Sequence, residues 1–315
     1  MATYLITGVA GFIGSSLARA VLNQGDRVRG IDNFSTGKRE NIAEIADQID
    51  FRELDLLDLE ALLPVCQGVD YIFHEAAIPS VPKSVLDPLG SNRANVDGTV
   101  HLLIAAKDAK VKRVVYAASS SAYGDTPTLP KHEDMVANPI SPYAVAKLAG
   151  EYYMKSFYRC YGLETVCLRY FNIFGPRQDP SSPYSGVLAK FITQMLKGEA
   201  PTIFGDGTQS RDFTYIENVV SANLLGAKAP ASEVAGRVFN VATGTRVDLN
   251  ETFRLLKKLT AYEGAVKYGL ERAGDVKHSL ADLSHIERQL GYKPLVGFEE
   301  GLRRTVEWYR QGNGA

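Results

Sequence analysis

The sequence predicts an α/β fold, a Rossmann-type doubly wound parallel sheet with a smaller α/β C-terminal lobe. Three observations carry that expectation. Short apolar runs alternate with helix-length amphipathic segments through the first half, a glycine-spaced turn follows the first apolar run directly, and after about residue 175 the alternation gives way to Gly- and Pro-rich stretches.

In chain order, Tyr4–Thr7 reads as a buried strand, Gly14–Gln24 as a helix, Arg27–Ile31 as a strand, Leu57–Val65 as a leucine-rich helix and Tyr71–His74 as a strand. Ala94–Ala109 reads as one long helix and Arg113–Ala118 as a buried strand. Pro142–Tyr161 reads as a helix that Ser141 caps and Pro142 opens, and Glu164–Tyr170 as the next strand. Single helices follow at Ser185–Lys197 and Leu249–Leu259, and Arg237–Ala242 reads as a strand able to return to the main sheet. The expected division is a nucleotide-binding domain over residues 1–175, with the return strand near 237–242, and mainly a substrate lobe over 176–315.

Composition excludes several classes. Over 315 residues, 35 Lys and Arg against 36 Asp and Glu leave a formal charge of −1, with no general basic field for nucleic acid and no single-sign field for a membrane surface. Cys66, Cys160 and Cys167 lack metal-ligand spacing, so neither a disulfide framework nor a metal site is expected, and a reducing cytoplasm is the expected location. Cys160 and Cys167 are expected in the core, and His278 in a structural role. Met1 to Gly8 shows no basic leader before a long apolar run, so no secretory signal is expected.

Gly8, Gly11 and Gly14 follow the first strand at G-x-x-G-x-x-G spacing. Glycines there allow a tight turn, a close approach of backbone N–H groups to a pyrophosphate at a helix N-terminus, and close helix–strand contact. Asp32 ends the second strand 18 residues after Gly14, where a carboxylate accepts both ribose hydroxyls of an adenosine and repels a 2′-phosphate. NAD is therefore expected over NADP, although Lys38 and Arg39 follow closely. Asp55 and Leu56 fall near the adenine edge, and Ala76 and Ala77 are small residues where a dinucleotide crosses the sheet.

Tyr143 and Lys147 share one face of their helix. A phenol titrates near 10, so a tyrosine base at neutral pH needs a shift of roughly 3 units, about 4 kcal/mol, from nearby positive charge. Upstream, Ser119-Ser120-Ser121 places hydroxyls at the carboxyl edge of the sheet, where ligands bind in such folds.

Together these residues resemble the extended short-chain dehydrogenase/reductase family and, within it, the UDP-hexose 4-epimerases. The likeness runs along nearly the whole chain, through the three glycines, Asp32, Asp55-Leu56, His74-Glu75-Ala76-Ala77, Asn95, Ser119–Gly124, Tyr143, Lys147, Leu168–Asn172, Gly207–Phe213 and Arg272–Val276. It implies Ser119 as the hydroxyl bridging substrate and Tyr143, Tyr143 as the base, and Lys147 as the residue that binds nicotinamide ribose and lowers the tyrosine's pKa. It further implies NAD contacts from Phe12, Ile13, Asn33, Ser35, Thr36, Gly37, Asn95 and Tyr170. For a UDP-sugar it implies Ser80, Ser120, Ser121, Asn172, Val187, Thr202, Phe204, Arg211, Arg272, Asp275 and Ser279, with the two arginines on the diphosphate. Helices 94–109 and 142–161 match those that pair in a family homodimer.

Within the family, dehydratases and decarboxylases carry acidic residues where this chain has Ser120 and Ser121. Without that acid, elimination loses its catalyst, whereas 4-epimerisation needs only hydride and proton transfer at C4. An isomerase interconverting UDP-glucose and UDP-galactose is expected. Ser279, small beside the sugar's C2 substituent, extends this to UDP-N-acetylglucosamine and UDP-N-acetylgalactosamine. UDP-glucuronate 4-epimerases and UDP-xylose-forming enzymes are relatives, and a non-catalytic NAD sensor is the alternative of a different class.

Overall fold

Successive side chains of a strand point to opposite faces, so a strand covered on both sides must be apolar throughout. In β1 (Thr3–Thr7), Tyr4 and Ile6 enter one core layer and Leu5 the other, all fully buried. β5 (Arg113–Ser119) and β6 (Glu164–Tyr170) repeat the pattern, with Val115, Val166 and Leu168 on one side and Val114, Tyr116 and Cys167 on the other. The computed structural model describes residues 1–180, 186–271 and 277–312.

With β2 (Arg27–Asp32), β3 (Ile49–Glu53), β4 (Tyr71–His74) and β7 (Arg237–Val241), these strands form a seven-stranded sheet in the order β7-β6-β5-β4-β1-β2-β3. Every pairing is parallel. The order reverses between β1 and β4, and the crevice at such a switch point is where doubly wound sheets bind ligands. Helices Phe12–Asn23, Leu59–Cys66, Gly98–Asp108 and Pro142–Tyr161 make the crossovers. Ile216–Lys228, from the second half of the chain, lies against β5 and β6. Its C-terminal carbonyls at Gly226 and Ala227 each accept from Arg113 Nη1 at 2.9 Å, which ties that helix to the start of β5.

Two helices differ from expectation. The helix expected from Leu57 starts at Leu59, because the Asp58 side chain accepts from Ala61 N at 3.0 Å and caps it. The long helix expected over 94–109 is a wide π turn over Arg93–Asp97 that runs into the α-helix Gly98–Asp108. The wide turn carries Asn95, whose side chain is engaged by Ile78 and by Ser91 of the preceding helix Pro88–Asn92.

Beyond residue 175 lie short paired strands, Thr202–Phe204 with Lys267–Gly269 and Ser210–Arg211 with Val247–Asp248, and helices Val187–Leu196, Leu249–Thr260, Ser284–Leu290 and Phe298–Arg310. Among the described residues no helix is long and apolar enough to cross a membrane. Cys167 is buried as expected, but Cys160 is exposed. It continues the row of buried Glu151, Met154 and Phe157, but in the last turn of Pro142–Tyr161, where the helix end is exposed.

Candidate active site

The turn after β1 is shaped for a close-approaching ligand. Gly8 has φ +68°, and a Cβ there would stand 2.9 Å from the Ala76 backbone, while a Cβ on Gly14 would stand 2.2 Å from the Gly8 carbonyl oxygen. Gly11, Phe12, Ile13 and Gly14 line the cleft at the N-terminus of the helix, where its free N–H groups and positive dipole end favour an anion.

Asp32 is buried at the end of β2. Its Oδ2 accepts from Ala10 N at 2.9 Å and its Oδ1 from Phe34 N at 2.8 Å, so the carboxylate organises the glycine turn while keeping acceptor capacity on both oxygens. Burial pushes this carboxyl above its usual range and the backbone N–H bonds pull it back. Asn33 Nδ2 donates to Asp55 Oδ2 at 2.8 Å across the ends of β2 and β3. Ser35, Thr36, Leu56, Ala76 and Ala77 complete this end of the cleft. Glycine turn, carboxylate and small residues fit the adenosine and pyrophosphate of NAD. Gly37 packs behind them, where a Cβ would meet Asp32 and Ala10, and Asn95 shapes the cleft through Ile78.

At the other end, Ser119, Tyr143 and Lys147 line the same cleft. Ser141 accepts from Ala144 N at 3.2 Å and starts the helix, and Ser84 Oγ accepts from Tyr143 N at 3.0 Å. Lys147 is buried and donates to the Ala117 carbonyl at 2.7 Å. Burial pushes the Tyr143 phenol up, and a hydrogen bond from Ser119 pulls it back. The lowering expected from Lys147 does not appear, since burial and the Ser119 bond are what move the phenol.

Ser121 Oγ donates to Ser119 Oγ at 2.8 Å and Ser121 N donates to it at 3.2 Å, so this second serine orients the first. Ser120 follows Ser119 in a short 3₁₀ turn. Ser80 lines the cleft and caps the helix Val81–Leu86, accepting from Lys83 N at 3.1 Å. Tyr170 and Asn172 also line it.

Asn172 links the cleft to residues far along the chain. Its Nδ2 donates at 3.0 Å to both the Asp212 carbonyl and Ser279 Oγ. Ser279 thus stands behind Asn172. Arg211 Nη1 donates to the Ser210 and Lys277 carbonyls at 3.1 and 3.0 Å, and Ser210 Oγ bonds His278 Nδ1 at 2.9 Å, the structural role expected of that histidine. Thr202 and Phe204 lie on their short strand, and Val187 opens the helix Val187–Leu196. Arg272 and Asp275 lie outside the described residues, as does Ser185.

Arg177, Asp179 and Glu75, to which the sequence assigned no role, also line the cleft. Arg177 Nη2 donates to Ser16 Oγ at 3.2 Å beside the glycine turn, and Lys38 Nζ pairs with Asp179 at 3.1 Å, joining the loop after β2 to the segment after Gly175. The signal available in the sequence was an arginine directly after Gly175-Pro176, which periodicity does not register, while its positive φ shows only in the structure.

The comparisons agree along the chain's length. UDP-glucose 4-epimerase of Mycolicibacterium smegmatis is 39% identical over 311 residues, covering 97% of this chain and 98% of that one. UDP-glucuronate 4-epimerase of Thermodesulfobacterium geofontis is 32% identical, covering 99% and 97%. The solved UDP-N-acetylglucosamine 4-epimerase of Methanobrevibacter ruminantium, in complex with UDP-N-acetylmuramic acid, superposes with a TM-score of 0.94 at 42% identity, covering 99% of each chain. Residues 4–242 match the NAD dependent epimerase/dehydratase family, and with likeness of that extent this chain belongs to it.

Proposed function

We propose that this chain is an isomerase that inverts C4 of UDP-hexoses, interconverting UDP-glucose with UDP-galactose and UDP-N-acetylglucosamine with UDP-N-acetylgalactosamine. The observation that carries this is a single cleft in which a dinucleotide cradle meets Ser119, Tyr143 and Lys147, with serines where elimination would need an acid. Bound NAD supplies reversible hydride acceptance at C4. Tyr143 takes the proton of the 4-hydroxyl as the 4-keto sugar forms and returns it after the sugar presents its other face. Ser119 hydrogen-bonds Tyr143 and the same hydroxyl, and Lys147 holds nicotinamide ribose and adds positive charge beside the phenol. Arg211 and Arg272 are proposed for the diphosphate, and Asn172, with Ser279 behind it, for the sugar.

Exposed Val145, Tyr152 and Tyr153 on Pro142–Tyr161 support the homodimer expected through helices 94–109 and 142–161. The unbridged cysteines support the cytoplasm as the location. The deciding experiment incubates the purified protein separately with UDP-glucose, UDP-N-acetylglucosamine and UDP-glucuronate and follows C4 configuration by proton NMR. Turnover of the first two supports the proposal. Turnover of the glucuronate alone reassigns the substrate, and turnover of none removes the activity.

A further inference from the structure

Glu75 follows β4 directly and lines the same cleft as Lys147 and Tyr170, yet the reaction as described gives it no part. Its Oε1 accepts from the Tyr170 hydroxyl at 3.0 Å, and Asn223 Nδ2 donates to that hydroxyl at 2.8 Å, so β6 and the helix Ile216–Lys228 hold the carboxyl in place. Its Oε2 is enclosed with no hydrogen-bond partner among the described residues. Burial pushes the carboxyl up to about 7, against the opposing pull of the Tyr170 bond and the Lys147 charge.

Lys147 presents the complementary problem. Its ammonium is buried over the Tyr116 ring, 4.9 Å from the centroid, and burial pushes it down to about 8. Two anions oppose that push, Glu75 first and Glu151 second. Glu151 is already committed, since its oxygens accept from Arg169 Nε and Nη2 at 2.9 and 2.8 Å. The other titratable groups around the pair are phenols and one imidazole. Tyr143 on the same helix, Tyr116 on β5 and Tyr170 on β6 are all pushed up by burial, and His74 on β4 is pushed down to about 3, so none carries charge at neutral pH. His74 is in register with Tyr116 on the neighbouring strand, so Glu75, one residue on, comes level with Ala117, whose carbonyl holds the Lys147 ammonium, and among the described residues no arginine pairs with Glu75 as Arg169 does with Glu151.

We propose that Glu75 is a positioning residue of the reaction: clamped by Tyr170, its carboxylate keeps the Lys147 ammonium charged, so that Lys147 can act on Tyr143. A buried ammonium with one carbonyl acceptor needs such an anion to remain charged in a desolvated site. The proposal rests on the 4-epimerase reading above.

The test is the pH dependence of kcat/KM of the NAD-loaded enzyme across neutral and alkaline pH. Glu75→Gln keeps the volume and an acceptor for Tyr170 but deletes the charge, so the alkaline limb is expected to move down by about one pH unit, the low end of what one opposite charge does to a neighbour. Tyr170→Phe keeps the ring packing but removes the donor that favours the ionised carboxyl, and should move the limb the same way by less. It decides alone if Glu75→Gln does not fold. A limb at the wild-type position in the folded variants, with the wild type active, overturns the proposal. A wild type that epimerises no UDP-sugar at any pH removes instead the functional reading beneath it.

Discussion

The Tyr116 ring lies 4.9 Å beneath the Lys147 ammonium, and its hydroxyl donates to the Lys147 backbone carbonyl at 3.4 Å, so one β5 side chain supports both ends of the lysine. Gly150, one turn along the helix, leaves room for that hydroxyl: a Cβ there would stand 2.2 Å from it. Gly150→Ala is therefore expected to destabilise by about 1–3 kcal/mol, as overpacking does, and to lower NAD retention by shifting Lys147. Thermal unfolding and the NAD content of the purified variant measure both. An unchanged melting temperature would show that the ring yields without cost.

Tyr143→Phe removes the proton acceptor and almost no volume. Epimerisation should fall by about 10²–10⁴-fold, with NAD content near that of the wild type. Stopped assays by NMR provide the check, and near-wild-type turnover would take Tyr143 out of the mechanism.

Asp32 holds the glycine turn through Ala10 N and is the carboxylate proposed for the adenosine ribose. Asp32→Ala should weaken NAD binding and narrow the preference over NADP, because the repulsion against a 2′-phosphate goes with the hydroxyl contacts. Fluorescence titration with both dinucleotides reads the ratio. If the ratio does not move, Asp32 does not set the selectivity.

Ser279→Tyr puts a ring where Ser279 Oγ now accepts from Asn172. Overpacking of about 1–3 kcal/mol corresponds to roughly 5- to 150-fold in kcat/KM, and the loss should fall mainly on N-acetylated substrates. Parallel losses on UDP-glucose and UDP-N-acetylglucosamine would mean that position 279 holds Asn172 without sensing the C2 group.

His74 is fully enclosed, its ring nitrogens bonded to Thr7 Oγ1 at 2.8 Å and Thr99 Oγ1 at 2.9 Å, and burial pushes it down to about 3. An unfolded histidine titrates near 6.5. Between these values the unfolded chain binds the extra proton, so the contribution to stability is present above about 6.5 and lost as pH falls toward 3, at up to about 1.4 kcal/mol per unit. Glu75, raised to about 7, acts in the opposite sense above the ordinary carboxyl value. The quantity to measure is therefore the difference in denaturant stability between wild type and His74→Gln as pH is lowered, which should shrink. A constant difference would mean that His74 charges without cost in the fold.

What the sequence determined by itself was local and periodic. Parallel strands covered on both faces must be continuously apolar, so Tyr71–His74 and Glu164–Tyr170 were legible to the residue. Ser141-Pro142 carries its own helix start, because an N-cap oxygen and a fixed φ act within one turn. The glycine spacing and Asp32 were legible for the same reason, since a tight turn and a carboxylate at a strand end are short-range requirements.

Only the tertiary structure decided what depends on partners far apart in the chain. The π turn at Arg93–Asp97 accompanies contacts of Asn95 with Ile78, 17 residues away. Arg177 reaches Ser16 across 161 positions, and Ser279 meets Asn172 across 107, distances over which no pattern in a sequence records who meets whom. Charge state belongs to the same class. Tyr143, Glu75 and Lys147 are moved from their ordinary values chiefly by burial, and burial is a property of the packed chain.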